Sequence, residues 1–378
     1  MASTLGSVLA KLAVFGAAKP PNLAHWSAAS WYDSCVLFLK SFGLFMPILT
    51  QINAPFGRFA LSKSIFNLPG NVTFMVMEAF APIIFVLAFA SSPLSSSPGL
   101  LKTTLPLSPS LEHLKTIPTA NYILGSLYVI HYINRAFLQP MRGPPRSPSH
   151  LAVFVAASLF QSANGFVMGT WLGGASPPLQ LPSEVIDSSG SSTASRLGSI
   201  LSGTLRTVAR PGIVDGGVKT LTNPLFLIGI AGWAVGLAAN IYHDEILFDI
   251  RRKAQKDSKA NGADSKPKYD VPHGGLYSLI SYPNYLCEWF EWFSFAFAAL
   301  AFTPLSPLSA QAVPLTLAGR ILLLVSCPPL LFPIVEVWVM LPRALNGHEW
   351  YRSKFGIEGD GKGGRYPRDR NAVIPYLL

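Results

Sequence analysis

Apolar segments of bilayer length constrain the fold of this chain more than any other feature. A transmembrane helix needs roughly 17–25 mostly apolar residues, because only a helix satisfies its own backbone hydrogen bonds inside lipid. Charged residues make up only 13% of the chain, against roughly 25% in soluble domains. The sequence therefore predicts an all-α, polytopic membrane protein with about seven transmembrane helices, which lie near 31–52, 71–91, 119–139, 150–174, 223–243, 285–303 and 315–341.

The rest of the chain predicts a simple domain organisation. We expect an N-terminal segment, 1–30, followed by a single membrane-embedded domain over 31–378. Residues 176–221 are rich in Ser, Gly and Pro, which is typical of a mobile extramembrane insert. No early basic stretch followed by a short apolar core and a small-residue cleavage site stands out, so no cleaved signal peptide is expected.

Basic residues predict the orientation in the membrane. Lys and Arg cluster in 251–268 and in the tail after 341, and cytosolic loops carry an excess of these residues. With seven spans, both clusters are cytosolic only if the N-terminus lies on the opposite side. The net charge of +10 is then mostly a topology signal, although it could also attract an anionic cofactor. We expect no nucleic-acid partner, because no compact basic domain exists.

Several common motifs are excluded. The three cysteines lie in apolar segments and form no CxxC pair, so neither a metal site nor a disulfide framework is expected. Residues 359–364, GDGKGG, fit G-x-G-x-x-G, but no strand pattern precedes them, which favours a polar loop over a dinucleotide-binding turn. The sequence has no Walker loop, HExxH or G-x-S-x-G motif, so a soluble kinase or hydrolase has no support.

Polar residues inside apolar segments are the strongest functional signal. A charge at mid-bilayer costs roughly 2.5–3.5 kcal/mol, so such residues usually face a cavity or a partner. Glu78 lies within the second segment, and Tyr132 and Arg135 lie about one helical turn apart in the third. Tyr132 alone would be read as an interface anchor, but the nearby Arg favours a polar cavity. We interpret His131 as a packing histidine.

Two further stripes lie at cytosolic helix ends. Asn240, Asp244 and Arg251 share one helix face by their spacing of four and seven residues. Asn284, Glu288 and Glu291 repeat that spacing at the start of the sixth segment, where carboxylates also suit the positive end of the helix dipole.

The ordered blocks of this sequence resemble the steroid 5α-reductase (3-oxo-5α-steroid 4-dehydrogenase) family. The resemblance covers roughly 55–175 and 225–378. It rests on NLPGNVTFMVMEAFAP at 67–82, HYINRAF at 131–137, ANIYHDEIL at 239–247, YDVPHGGLYSLISYPNYLCEWFEW at 269–292, and RALNGHEWY with VIPYLL near the C-terminus.

That resemblance implies NADPH-dependent reduction of a conjugated C=C bond beside a ketone, by hydride transfer to the β-carbon. It implies that Glu78 and Tyr132 hold the enone carbonyl, and that the substrate is a 3-oxo-Δ4-steroid or a similar lipid enone. It also implies the endoplasmic reticulum membrane as location, with no obligate protein partner inferred. The cofactor residues map onto Arg135, Asn240, Asp244, Arg251, Tyr269, Asn284, Glu288, His348 and Tyr351.

One position departs from the family pattern. The family usually carries Lys or Arg after the Tyr that matches Tyr269, whereas this chain has Asp270. A basic residue there would suit the 2′-phosphate of NADPH, and Lys266, Lys268, Arg142 or Arg146 could replace it. We still expect NADPH as the cofactor.

Three alternatives remain open. The first is an enoyl-CoA or polyprenol-type reductase of the same superfamily. The second is a membrane methyltransferase that uses S-adenosylmethionine, although Glu78 and Tyr132 in the N-terminal half speak against it. The third is a non-catalytic lipid-binding membrane protein, which would explain an apolar cavity but not the polar stripes.

Overall fold

The protein is described by a computed structural model over residues 28–61, 63–91, 107–174, 218–260, 269–301 and 324–378. Most of the predicted insert, the loop 304–314 and the first part of the seventh predicted segment lie outside these residues. So does most of the predicted N-terminal segment.

Within the described ranges, seven long helices follow the predicted apolar segments. They are α1 (Ala28–Leu49), α2 (Gly70–Ser91), α3 (Thr119–Ile133), α4 (Leu151–Gly173), α5 (Pro224–Ala260), α6 (Pro283–Leu300) and α7 (Pro328–Phe355). Short helical turns lie at Gly57–Phe59, Leu111–Leu114, Val218–Leu221 and Gly275–Ser278. The two strands of the described chain, β1 (Asn67–Leu68) and β2 (Ser149–His150), pair antiparallel.

Four of the described helices are long and apolar enough to cross a bilayer. They are α2, α4, the Pro224–Asp257 part of α5, and α7. The all-α, polytopic membrane class is therefore confirmed, whereas the count of seven spans stays a prediction. Helices α5 and α7 also continue well past the predicted spans, because the hydropathy of a sequence marks only the lipid-crossing part of a helix.

Large apolar side chains lie on the outer surface of the protein as well as in its core. Large apolar residues such as Val72, Ile83 and Ile228 are exposed on the outer faces of α2 and α5. Glu78 and Asp244, on the same two helices, are buried. Extended apolar surface of this kind is typical of contact with a membrane, and inward-facing polar groups are typical of a functional cavity.

Helices α2 and α4 pack unusually closely through glycines. Gly165, Gly169 and Gly173 recur every fourth residue on α4, and a Cβ at any of them would collide with a carbonyl oxygen of α2. Small residues at this spacing let two transmembrane helices approach backbone to backbone. The contact fixes Glu78 of α2 beside Gln161, which lies one turn before the first glycine. Glycines of α5 pack against α6 in the same way, at Gly229, Gly232 and Gly236.

The end of α3 changes its helical register. A π-helical turn, Asn134–Leu138, continues directly into the last turn, Gln139–Arg142. Such turns frequently occur at functional sites because they redirect the side chains that follow. Arg135 lies inside this turn and Gln139 directly after it.

The tail after α7 folds back onto the segment before α6. The backbone N–H of Tyr282 donates to the carbonyl of Ala372 at 3.0 Å, and that of Asn371 donates to Leu279 at 2.9 Å. The GDGKGG stretch follows a helix and forms a turn in which the Asp360 carboxylate accepts backbone N–H bonds from Lys362 and Gly364. The structure agrees with the polar loop that the sequence favours.

Candidate active site

Two cavities meet inside the helical assembly, and the first is an inner cavity of about 130 Å³. It lies between α2, α3, α4, α6 and α7. One wall is apolar and the remainder carries carboxyl, amide, hydroxyl and guanidinium groups. The lining residues are Glu78, His131, Tyr132, Arg135, Phe160, Gln161, Glu288, Glu336, Val339 and Met340.

A glutamine joins the two residues that the sequence predicts as catalytic. The Tyr132 hydroxyl donates to Gln161 Oε1 at 2.9 Å. The amide of Gln161 in turn donates to Glu78 Oε2 at 2.6 Å. All three side chains are buried, and Tyr132 is 2% exposed. Glu78 and Tyr132 are thus brought into one cavity, with Gln161 as the bridge between them.

Asn164 fixes the orientation of the Tyr132 hydroxyl. Its Nδ2 donates both to Tyr132 Oη at 2.9 Å and to Tyr128 Oη at 3.0 Å. Asn164 lies on α4 one turn beyond Gln161 and is fully buried. Because Asn164 occupies an acceptor position of Tyr132, the single hydroxyl proton of Tyr132 is left to point toward Gln161 or toward a ligand.

Arg135 lies between two carboxylates of the inner cavity. Its Nε is 3.9 Å from Glu78 Oε1, and its Nη1 is 3.5 Å from Glu288 Oε2. His131, interpreted from sequence as a packing histidine, has its Nδ1 2.7 Å from Glu291 Oε1. The buried ring therefore joins α3 to α6 through a polar contact as well as through packing.

The second, outer cavity has a volume of about 260 Å³ and is richer in basic groups. It is bounded by the ends of α3, α5 and α6 and by the loops that precede α4 and α6. Six of the nine predicted cofactor residues line it: Arg135, Asp244, Arg251, Tyr269, Asn284 and Tyr351. The other three, Asn240, Glu288 and His348, are placed elsewhere.

Asp244 organises the centre of the outer cavity. Its carboxylate accepts hydrogen bonds from the amides of Gln139 and of Asn284, the latter at 3.1 Å. Asn240, one turn earlier on α5, instead donates to the backbone carbonyl of Asn284 at 2.9 Å and to Glu288 at 3.3 Å. Asn240 and Glu288 thus support the cavity wall from behind, and Glu288 faces the inner cavity.

Two arginines bring positive charge to the outer cavity. Arg251 donates to the backbone carbonyl of Pro145 at 2.5 Å. Arg146 donates to Gln139 at 3.1 Å and lies over the ring of Phe74, 3.7 Å from its centroid. Burial and the neighbouring Arg135 guanidinium lower the pKa of Arg146 to about 10. The guanidinium remains charged near neutral pH, in a setting that an anionic ligand would stabilise.

His348 lies behind the outer cavity instead of lining it. Its Nδ1 is 2.6 Å from Ser281 Oγ, and Ser281 is a lining residue. The preceding Gly347 packs against the Tyr282 hydroxyl, which leaves no room for a Cβ there. The His348 ring thus contacts the lining of the outer cavity through Ser281.

The departure at Asp270 has a structural counterpart. The Asp270 carboxylate lies 3.5 Å from Arg365, a residue of the C-terminal tail. A guanidinium thus lies against the acidic residue that stands where the family usually has Lys or Arg. Lys266 and Lys268, predicted as replacements, lie outside the described residues.

Comparisons with known proteins identify the family. The sequence model described as 3-oxo-5-alpha-steroid 4-dehydrogenase matches residues 199–306. An uncharacterized protein of Schizosaccharomyces pombe is 30% identical over 359 residues, which cover 92% of this chain and 100% of that protein. The 3-oxo-5-alpha-steroid 4-dehydrogenase 1 of Rattus norvegicus is 24% identical, over 91% of this chain and 94% of its own length. Steroid 5-alpha-reductase DET2 of Solanum lycopersicum is also 24% identical, over 68% and 69% respectively. The chain therefore belongs to the steroid 5α-reductase family of membrane oxidoreductases.

Proposed function

We propose that this protein uses NADPH to reduce the conjugated C=C bond of a 3-oxo-Δ4-steroid or a similar lipid enone. One observation carries the proposal: Arg135 lines both cavities. The outer cavity carries the basic and polar groups that suit a dinucleotide, and the inner cavity carries the groups that suit a carbonyl. A reductant in the first and an enone in the second would therefore meet beside this guanidinium.

The outer cavity fits the chemistry of a phosphorylated cofactor. Arg146 and Arg251 can pair with phosphate oxygens through charge-assisted hydrogen bonds. Asp244 and Asn284 can accept or donate bonds to ribose or amide groups, and the Tyr269 and Tyr351 rings can pack on planar groups. When bound, NADPH would supply the hydride that adds to the β-carbon of the enone.

Tyr132 is the proposed hydrogen-bond donor to the enone carbonyl. Reduction at the β-carbon shifts negative charge onto the carbonyl oxygen, and a preorganised donor aimed at that oxygen lowers the barrier. The Tyr132 hydroxyl oxygen already accepts a hydrogen bond from Asn164. The Tyr132 hydroxyl can then donate its hydrogen bond to the carbonyl oxygen instead of to Gln161, while the ring stays in place.

Glu78 is proposed to act with Tyr132 through Gln161. In the present arrangement Glu78 accepts a hydrogen bond from the Gln161 amide, and this contact sets the direction of the Gln161 carbonyl. A protonated Glu78 would also be able to donate directly to the enone oxygen. The α-carbon finally takes a proton, which we assign to solvent.

The function is tested with membranes that contain the protein, [4-²H]NADPH and a panel of enones: 3-oxo-Δ4-steroids, polyprenals and enoyl-CoA thioesters. We expect a product two mass units heavier than the substrate with unlabelled cofactor, with deuterium at the β-carbon when the labelled cofactor is used. Tyr132→Phe membranes serve as the control. Reduction of enoyl-CoA alone, or methyl transfer from S-adenosylmethionine, would contradict the steroid assignment.

We further propose that the protein resides in the endoplasmic reticulum membrane with a cytosolic C-terminus. The basic residues of α5, including Arg251, Arg252 and Lys253, lie at its C-terminal end, as expected for a cytosolic helix end. Protease added to sealed microsomes should remove a C-terminal tag and spare an N-terminal one. The opposite pattern would refute this orientation.

A further inference from the structure

A third carboxyl group in the inner cavity has no role in the proposed reduction. Glu336 projects from α7 into this cavity, beside the apolar side chains of Phe160, Val339 and Met340. Its Oε2 is buried, and among the described residues it has no hydrogen-bond partner. A buried carboxyl oxygen without a partner is destabilising by roughly 1–3 kcal/mol or more, so its retention in this wall calls for a ligand.

The other polar groups of the cavity do not satisfy Glu336. The ion pairs of Arg135 go to Glu78 and Glu288. The Gln161 amide and carbonyl are taken up by Glu78 and Tyr132. Glu336 therefore differs from the other carboxyls of the cavity, because each of those has a polar partner on a neighbouring helix.

We propose that Glu336 is a specificity-determining residue that binds a hydroxyl group of the substrate. This inference rests on the proposed enone reduction. A hydroxyl both donates and accepts hydrogen bonds, so it can donate to a carboxylate or accept from a protonated carboxyl. The preferred substrate is then a hydroxylated lipid enone, and not one whose only polar group is the ketone.

The size of the inner cavity limits how far from the ketone that hydroxyl can lie on the substrate. A cavity of roughly 150 Å³ holds one benzene ring, and the inner cavity measures about 130 Å³. Tyr132 and Glu336 both line it. If Tyr132 holds the ketone, the hydroxyl that meets Glu336 lies within about one ring of the enone, on the first or second ring of a steroid, and not at its far end.

The test compares matched substrates on matched variants. The substrates are a parent 3-oxo-Δ4-steroid without hydroxyl groups and three analogues with one hydroxyl on the first ring, the second ring or the far end. The variants are Glu336→Leu, Glu336→Gln and the control Glu349→Gln, which removes an exposed carboxylate from the same helix. We expect the wild type and the control to prefer a first- or second-ring hydroxyl over the parent by on the order of 10- to 100-fold in kcat/KM.

The ratio between substrates is the decisive readout. Glu336→Leu should reduce the parent well and lose the preference, whereas Glu336→Gln should keep part of it. If Glu336 had a purely structural role, its replacement would lower kcat/KM for all four substrates by the same factor. Equal kcat/KM for all four substrates in the wild type, or an unchanged preference in Glu336→Leu, would overturn this inference and leave enone reduction intact.

A binding measurement separates the two proposals. If the wild type reduces none of the four steroids, the proposed reduction of steroid enones fails. Equilibrium dialysis of the same steroids in detergent micelles still reports their Kd values for the wild type and Glu336→Leu. A tighter Kd for the hydroxylated analogue that depends on Glu336 supports the binding role without turnover, and its absence refutes it.

Discussion

In each cavity a glutamine links a hydrogen-bond donor to a carboxylate, but the two donors differ. In the inner cavity Gln161 connects Tyr132 to Glu78, and in the outer cavity Gln139 connects Arg146 to Asp244. The inner donor is a neutral hydroxyl held between packed helices. The outer donor is a guanidinium carried by a loop between α3 and α4.

In the proposed function, this difference assigns the chemical step to the inner cavity and cofactor affinity to the outer cavity. Glu78 and Gln161 project from α2 and α4, which meet backbone to backbone at the glycines of α4. Tyr132 of α3 is held against α4 by its hydrogen bonds with Gln161 and Asn164. Such rigidity suits a donor that must face a developing charge. The outer groups sit at helix ends, where charge suits the capture of an anionic ligand. Substitutions in the inner cavity should therefore lower kcat, and those in the outer cavity should weaken cofactor binding.

The largest effect is expected from Tyr132→Phe. The change removes one donor to the developing oxyanion and keeps the ring, which costs on the order of 10²–10³ in kcat, or about 2.7–4 kcal/mol. The Kd for NADPH should stay unchanged. Tyr128→Phe is the matched control, because Tyr128 accepts from the same Asn164 amide but does not line the inner cavity. Equal losses in both variants would show that the hydroxyls act only through packing.

Asp244→Ala is expected to have the next largest effect, in the opposite cavity. It removes an acceptor for Gln139 and Asn284, and hydrogen bonds to charged groups contribute about 1.5–3 kcal/mol. The Kd for NADPH should rise roughly 10- to 100-fold, measured by titration of the purified protein. Asp249→Ala is the control, since Asp249 is exposed on the same helix and pairs with Arg252. A normal Kd with a reduced kcat would contradict the division between the cavities.

Gly165→Ala tests the rigidity of the inner cavity. The new methyl group would collide with the Ala81 carbonyl of α2, and overpacking of this kind costs typically 1–3 kcal/mol. We expect a lower thermal midpoint in detergent and a loss in kcat. In Gly125→Ala the new Cβ would meet Phe89 and Phe85 at 3.4–3.6 Å, which is ordinary contact, so that control should fold normally. Equal thermal midpoints for Gly165→Ala and Gly125→Ala would show that α2 and α4 can move apart at no cost in stability.

Arg146→Ala should give the smallest effect. If its guanidinium pairs with the 2′-phosphate, its removal should lower the preference for NADPH over NADH by about tenfold, or about 1.4 kcal/mol, as for a partly exposed charged contact. Steady-state kinetics with both cofactors measure this ratio. Arg352→Ala, which removes an exposed arginine paired with Glu349 outside the cavity, should leave it unchanged. A constant ratio in Arg146→Ala would assign the phosphate to another group, with Arg365 as the next candidate.

Sequence reasoning found those site residues whose placement in a lipid-crossing helix is energetically costly. Glu78 and Arg135 are conspicuous because a charge in an apolar segment needs a reason. Gln161 and Asn164 are missed, because amides among small residues in SLFQSANG give no comparable signal. Glu336 shares the signal of Glu78, an isolated carboxyl in an apolar run, so the same criterion would have found it.

Helical spacing predicts a shared face but not what that face meets. Asp244 and Arg251 both line the outer cavity, whereas Asn240 of the same stripe contacts α6. The difference arises because α6 begins at Pro283, so that its first turn covers Asn240 but does not extend to Arg251. For His348, the neighbouring Gly347 and Tyr282 decide where the ring points, and such packing between distant segments is not readable from local sequence.

The π-helical turn at Asn134–Leu138 has a consequence for how this chain could change over time. A turn of this type holds one more residue than an α-helical turn, and one residue rotates a helix by about 100°. Losing a single codon here would leave a helix of nearly the same length and apolarity. Tyr132, which precedes the turn, would still face the inner cavity, while Gln139 would swing away from Asp244. Deletion of Ala136, Phe137 or Leu138, none of which lines either cavity, would thus uncouple the two cavities while every lining residue is kept.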